Sequence, residues 1–249
     1  GEYSYIIFSG TQSAKMKTFS ITNIKFDLSS VFADNLKEIK INLNKPVDTN
    51  LSSFVYNYET NAGAINRVYY ENGDKTIVLI LNGTMENNKE YTLTAKNIRS
   101  TTNEVVEFKD KAFTANDTTP PRVTGIDVLG TTGIRINFSE PIKTVPSMNN
   151  FNINATTSLS NPVLSYKSIE LKYSTSTTLA PGTYTLLTQG LEDFAGNTMN
   201  IDTRSFTVVK DTLPPEIVKS TASLDQLTIE FNELINSMTV SRESIYWKQ

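Results

Sequence analysis

The sequence predicts an all-β chain of tandem β-sandwich modules arranged end to end. Three observations predict it: a closing motif that recurs at the length of a small domain, apolar residues that alternate with polar ones, and proline pairs between the repeats. The closing motif appears as Lys17-Thr18-Phe19-Ser20-Ile21, Lys111-Ala112-Phe113-Thr114-Ala115 and Arg204-Ser205-Phe206-Thr207-Val208. Its phenylalanines stand 94 and then 93 residues apart. That spacing is too long for a solenoid unit and suits one small domain.

The remaining motifs keep the same phase. Lys89-Glu90-Tyr91-Thr92-Leu93-Thr94 and Gly182-Thr183-Tyr184-Thr185-Leu186-Leu187 precede the last two closing motifs, and Gly1-Glu2-Tyr3-Ser4-Tyr5-Ile6 is a third copy. Each unit also has an early alternating run: Ile39-Ile41-Leu43, Ile134-Ile136-Phe138 and Leu227-Ile229-Phe231. The boundaries that follow are residues 1–22 as the last strands of a preceding module, 23–115 and 116–209 as complete modules, and 210–249 as the first strands of a further one. The natural protein is expected to continue beyond both ends.

Period-two alternation with one polar face marks a half-buried antiparallel strand. Ile77-Leu79-Leu81, Ile169-Leu171-Tyr173, Tyr91-Leu93 and Tyr184-Leu186 repeat the pattern, and Phe113 and Phe206 close the units. Turn residues separate these runs, as in Glu71-Asn72-Gly73-Asp74 and Ala180-Pro181-Gly182. About seven strands per unit at these intervals read as a β-sandwich. Ser29–Leu36 and Val145–Phe151 are each expected to form a short helical turn. The pairs Pro120-Pro121 and Pro214-Pro215 cannot lie in a central ladder, and they favour a short, stiff, extended spacer.

Composition excludes several function classes. The chain has neither cysteine nor histidine, so disulfides, Ser-His-Asp or Cys-His nucleophiles and histidine-ligated zinc are out of reach. A formal net charge of −3 without a basic stripe argues against nucleic acid. No apolar run approaches the roughly 20 residues that span a bilayer. The expectation is a protein that is not an enzyme and requires no cofactor.

Residues 116–209 carry an ordered set: Asp117-Thr118-Thr119-Pro120-Pro121, a strand ending Phe138-Ser139-Glu140-Pro141-Ile142, Pro181-Gly182-Thr183-Tyr184, the loop Leu191-Glu192-Asp193-Phe194-Ala195-Gly196-Asn197, and Ser205-Phe206-Thr207-Val208. This set resembles the bacterial Ig-like domains found in tandem in S-layer and other surface proteins of Gram-positive bacteria. Residues 23–115 match more loosely, with Lys45 in the place of Glu140 and Asn103 in that of Gly196. The resemblance implies immunoglobulin-like sandwiches, export to the bacterial cell surface, and a scaffolding or adhesive role. The leading expectation is a structural segment of a surface-layer or cell-wall-associated protein. Its partners would be other copies in an array, with a cell-wall polymer held by parts outside this chain. Alternatives are a carbohydrate- or host-binding adhesin module and a non-catalytic accessory region of an extracellular polysaccharide-degrading enzyme.

Candidate sites are few. Glu140 and Glu233 occupy equivalent positions, which suits a solvated turn residue after the strand better than a catalytic acid. The loop 191–197 offers two readings. One is a turn, with Gly196 and Asn103 accepting a left-handed backbone. The other is a structural Ca²⁺ site in the second unit, with Asp193 as ligand helped by Asn197 or by a junction aspartate, Asp117 or Asp211, because Ca²⁺ takes carboxylate and amide oxygens. Tyr3, Tyr91, Tyr184, Phe19, Phe113 and Phe206 are core candidates. Tyr56, Tyr58, Tyr69 and Tyr70 are dense enough for a partner surface, with one ring of the Tyr69-Tyr70 doublet expected to face outward.

Overall fold

A computed structural model describes residues 2–5, 8–9, 12–13, 16–20, 24–130, 133–154, 160, 162–173, 179–210, 212, 214–222, 227–232 and 235. The chain divides into two compact units. The first comprises Gly1–Ala33, Glu38–Gly83 and Glu90–Thr114; the second comprises Asp34–Lys37, Thr84–Lys89 and Ala115–Gln249.

Seven strands form the sheet of the first repeat: β1 (Leu28–Asn35), β2 (Glu38–Leu43), β3 (Tyr58–Thr60), β4 (Ile65–Glu71), β5 (Thr76–Leu81), β6 (Lys89–Arg99) and β7 (Val105–Ala115). Their order is β3-β6-β7-β1-β2-β5-β4. A single helical turn, α1 (Thr49–Ser52), follows β2, its first N–H groups capped by Asp48. The second repeat has β8 (Val123–Leu129), β9 (Gly133–Phe138), β10 (Phe151–Ile153), β11 (Val163–Ser165), β12 (Ser168–Lys172), β13 (Gly182–Thr188) and β14 (Asp202–Val208). They form one sheet of order β8-β9-β12-β11 and another of order β10-β13-β14. Adding seven to each strand number of the first repeat gives the order in the second. The two differ in that β7 also pairs with β1, which joins the sheets of the first repeat into one. The four-plus-three arrangement is that of a constant-type immunoglobulin sandwich, so the all-β expectation holds, with seven strands in each repeat among the described residues.

The second core gathers Ile134, Ile136 and Phe138 of β9, Ile169 and Leu171 of β12, Leu186 of β13, and Phe206 and Val208 of β14. These are the inward positions of the alternating runs. In the first repeat Ile39, Ile41, Ile77, Leu79, Leu93 and Phe113 are buried in the same way. Tyr91 stacks on Phe113 with ring centroids 6.0 Å apart, and Tyr184 on Phe206 at 5.8 Å. Tyr184 is half-buried rather than enclosed, and its hydroxyl donates to Ala180 O at 2.9 Å.

Ser29–Leu36 is a correction. This segment is strand β1 followed by a tight turn at Leu36 and Lys37, not a helical turn. Pairing with β7 and β2 overrides the local preference. Within 145–151, Met148–Asn150 forms the expected short turn, of 3₁₀ type.

Among the described residues the terminal strands pair only with each other. Glu2–Tyr5 runs antiparallel to Lys17–Ser20 and sets Tyr3 opposite Phe19, the register that sets Tyr184 opposite Phe206. Ile217–Ala222 pairs with Leu227–Phe231 and repeats the β8–β9 ladder down to its irregularity. The register shifts between Ile217 and Lys219 as it does between Val123 and Gly125. A reciprocal pair of hydrogen bonds at the strand ends also recurs. Asn44 N donates to Asp27 O (3.2 Å), Ser139 N to Arg122 O (3.0 Å) and Asn232 N to Glu216 O (3.0 Å). In return each first-strand N–H donates to the other residue's side-chain oxygen: Asp27 to Asn44 (2.9 Å), Arg122 to Ser139 (3.2 Å) and Glu216 to Asn232 (2.9 Å).

Candidate metal centre

Three carboxylates of the second unit converge from three different connections. Asp117 precedes β8, Glu140 follows β9, and Asp193 lies in the loop between β13 and β14. Each offers an oxygen, and these oxygens all lie within 4.8 Å of one another. The residues are 2%, 6% and 1% exposed.

Local chemistry fixes each one. The main chain of Asp117 is clamped by the Asn87 side chain, whose Nδ2 donates to Asp117 O (2.7 Å) and whose Oδ1 accepts from Asp117 N (2.9 Å). Asp193 organises its loop. Its Oδ1 accepts from Ala195 N (2.8 Å) and Asn197 N (2.9 Å), and Gly196 supplies the left-handed residue at φ 90°. Glu140 is held between the Ser139–Arg122 main-chain bond and the bond from Ile142 N to Tyr166 O (3.2 Å).

The electrostatics are unfavourable as they stand. Oδ2 of Asp117 and Oε2 of Glu140 are buried without a hydrogen-bond partner. Burial, and then the negative charge of neighbouring carboxylates, pushes both groups above the usual carboxylate range. For Glu140 those neighbours are Asp117, Asp193 and Asp34. Asn197 Nδ2 relieves part of this, donating to Asp193 Oδ2 (2.9 Å) and Asp117 Oδ1 (3.3 Å). A hard divalent cation answers the whole arrangement, because it takes carboxylate oxygens as ligands and supplies the missing charge.

The structure thus brings together all three of Asp193, Asn197 and Asp117. It also corrects the expectation for Glu140, which is a buried member of the cluster and not a solvated turn residue. The sequence did hold a signal for it. Units with an aspartate before the proline pair, Asp117 and Asp211, also have the glutamate, Glu140 and Glu233, whereas the first unit has Lys45 there. Asp211 and Glu233 lie outside the described residues.

The aromatic candidates divide clearly. Tyr91, Phe113 and Phe206 are buried, while the side chains of Tyr3 and Phe19 lie outside the description. Tyr58 is buried, its hydroxyl donating to Ser52 O (2.7 Å). Tyr69 and Tyr70 are both half-buried, with hydroxyls bonded to Glu38 Oε1 (2.7 Å) and Thr49 O (3.2 Å), so neither ring of the doublet is the outward one expected. Tyr56 is 73% exposed and stacks on Phe54 at 5.1 Å. No helix among the described residues is long and apolar enough to cross a membrane.

No family model matches the chain. Two curated proteins do. The chain is 30% identical over 237 residues to the Surface-layer 125 kDa protein of Lysinibacillus sphaericus, covering 94% of this chain and 20% of that protein. It is 29% identical over 235 residues to the Outer cell wall protein of Brevibacillus brevis, covering 92% of this chain and 22% of that one. The chain therefore spans about a fifth of the length of the curated relatives it matches. Among solved structures, domains 1–6 of surface layer protein SbsC align over 80% of this chain and 27% of that one, at 14% identity and a TM-score of 0.44. The similarity to the two curated proteins bears out the resemblance to bacterial surface-layer modules.

Proposed function

We propose that this chain is a structural, non-catalytic segment of a bacterial surface-layer protein, and that its second module is held in shape by a bound Ca²⁺. Similarity to surface-layer and outer cell wall proteins along almost the whole chain supports the first part. Within the array, copies of the protein are the partners, packed through module faces and edges.

One observation carries the cation: three carboxylates buried within 4.8 Å of one another, two of them with an oxygen lacking any partner. Asp117, Glu140 and Asp193 are the ligands. The amide of Asn197 turns over on binding, so that its oxygen rather than its nitrogen faces the ion; which way such an amide points follows from its surroundings. Calorimetric melting of the whole chain tests this. Binding to the folded state alone stabilises it by about 2.7 kcal/mol at a calcium concentration of 100 times Kd. Melting is expected to rise with calcium and to fall back in chelator. Equal melting under both conditions would remove the cation from this proposal.

A further inference from the structure

We infer that the first module carries its own cation, the Lys45 ammonium, at the position where the second module takes a free one; this rests on the Ca²⁺ reading just given. The loops that hold Asp193 and Ser100 are the same structure. Asp193 N donates to Asn197 O (3.2 Å), and Ser100 N to Glu104 O (2.9 Å). Ser100 Oγ accepts from Thr102 N (3.3 Å) and Glu104 N (3.0 Å), as Asp193 Oδ1 does from Ala195 and Asn197. Asn103, at φ 64°, stands in for Gly196.

On this shared frame the charges differ. A serine has one oxygen, and the turn uses it. An aspartate has a second, Asp193 Oδ2, which faces the cluster. Position 45 is a lysine where position 140 is a glutamate, and position 104 is a glutamate where position 197 is an asparagine. Lys45 Nζ reaches Glu104 Oε2 at 2.6 Å. The remaining oxygen of that carboxylate accepts from Phe26 N at 3.1 Å. The first module therefore closes this corner with an ammonium tethered to its own chain, and positive and negative charges match. In the second module Asp117, Glu140 and Asp193 supply three carboxylates to the same corner. Calcium accordingly controls the second module and leaves the first indifferent.

Hydrogen exchange followed by mass spectrometry reads the two modules separately in the intact chain. At calcium 100 times Kd, globally protected amides of β13 and β14 are expected to exchange about 100-fold more slowly than in chelator. Those of β6 and β7 are expected to stay unchanged. Transplanting the first module's residues, as E140K/D193S/N197E, is expected to protect the second module in chelator and abolish its calcium response. K45M is expected to speed exchange in the 98–106 loop, with no recovery in calcium. Calcium protection of both modules alike would overturn the inference, as would a transplant still labile in chelator or a K45M loop restored by calcium. A wild-type chain in which neither module responds defeats the Ca²⁺ reading itself, and this inference with it.

Discussion

Glu140 stands one residue before a proline at the end of an alternating strand, where a glutamate ordinarily faces water. Here it is buried, because the connections carrying Asp117 and Asp193 close over it. Periodicity reports which face of a strand is inward, but it is silent on residues just past the strand end. Asp193 and Asn197 stood out because an acidic loop with a glycine is a recognisable turn; Glu140 is marked in the sequence only by its co-occurrence with the aspartate before the proline pair, and its burial required the fold. Substituting Glu140→Gln keeps the shape and removes the ionisable group. The group it removes is one whose charged form burial and the neighbouring carboxylates disfavour. The variant is therefore expected to melt at least as high as wild type in chelator and to show no rise in calcium, checked by calorimetry. Glu104, at the position of Asn197 in the first module, shifts the other way. The Lys45 ammonium, then the Thr102 hydroxyl and the Phe26 N–H, hold its carboxyl down at about 2 from an ordinary 4.5. A depressed carboxyl stabilises the fold above its unfolded value and loses that contribution as pH falls through the folded one. Local protection of the 98–106 loop is thus expected to hold at pH 5 and fade between about 4.5 and about 2. E104Q is expected to remove that dependence.

At the scale of strands, alternation was enough to place β2, β5, β6, β9, β12 and β13, because one buried face imposes a period of two. It failed at β1. Leu28–Asn35 mixes Ser, Asp and Asn with apolar residues, and only its place between β7 and β2 makes it a strand. The aromatic pair that closes each sandwich was legible from its spacing alone. Tyr184 and Phe206 lie directly opposite each other and stack at 5.8 Å, with Phe206 buried. Phe206→Ala loses that burial and leaves a cavity, at a cost of roughly 3–5 kcal/mol. The measurement is denaturant unfolding followed by exchange in β13 and β14. A loss under about 1 kcal/mol would mean that the pair is peripheral to the core.

Across the whole molecule, two sandwiches of one strand order and a terminal hairpin in the register of a third follow one another along the chain. Repeat spacing in the sequence recurs here as repeated strand order and register. A longer protein containing these modules is expected to form two-dimensional sheets in electron micrographs when calcium is present. Fewer or disordered sheets are expected for the same protein bearing D117N/E140Q. The reciprocal bonds joining Asp27 to Asn44, Arg122 to Ser139 and Glu216 to Asn232 have a wider consequence. Each is made largely of main-chain atoms, and the side chain it needs is a small polar one on the second strand. Three different residues at the first position and two at the second make the same joint. The joint therefore survives copying and drift. A gene can lengthen such a protein by duplicating a unit, and the surface chemistry of each copy can then diverge while its fastening stays in place.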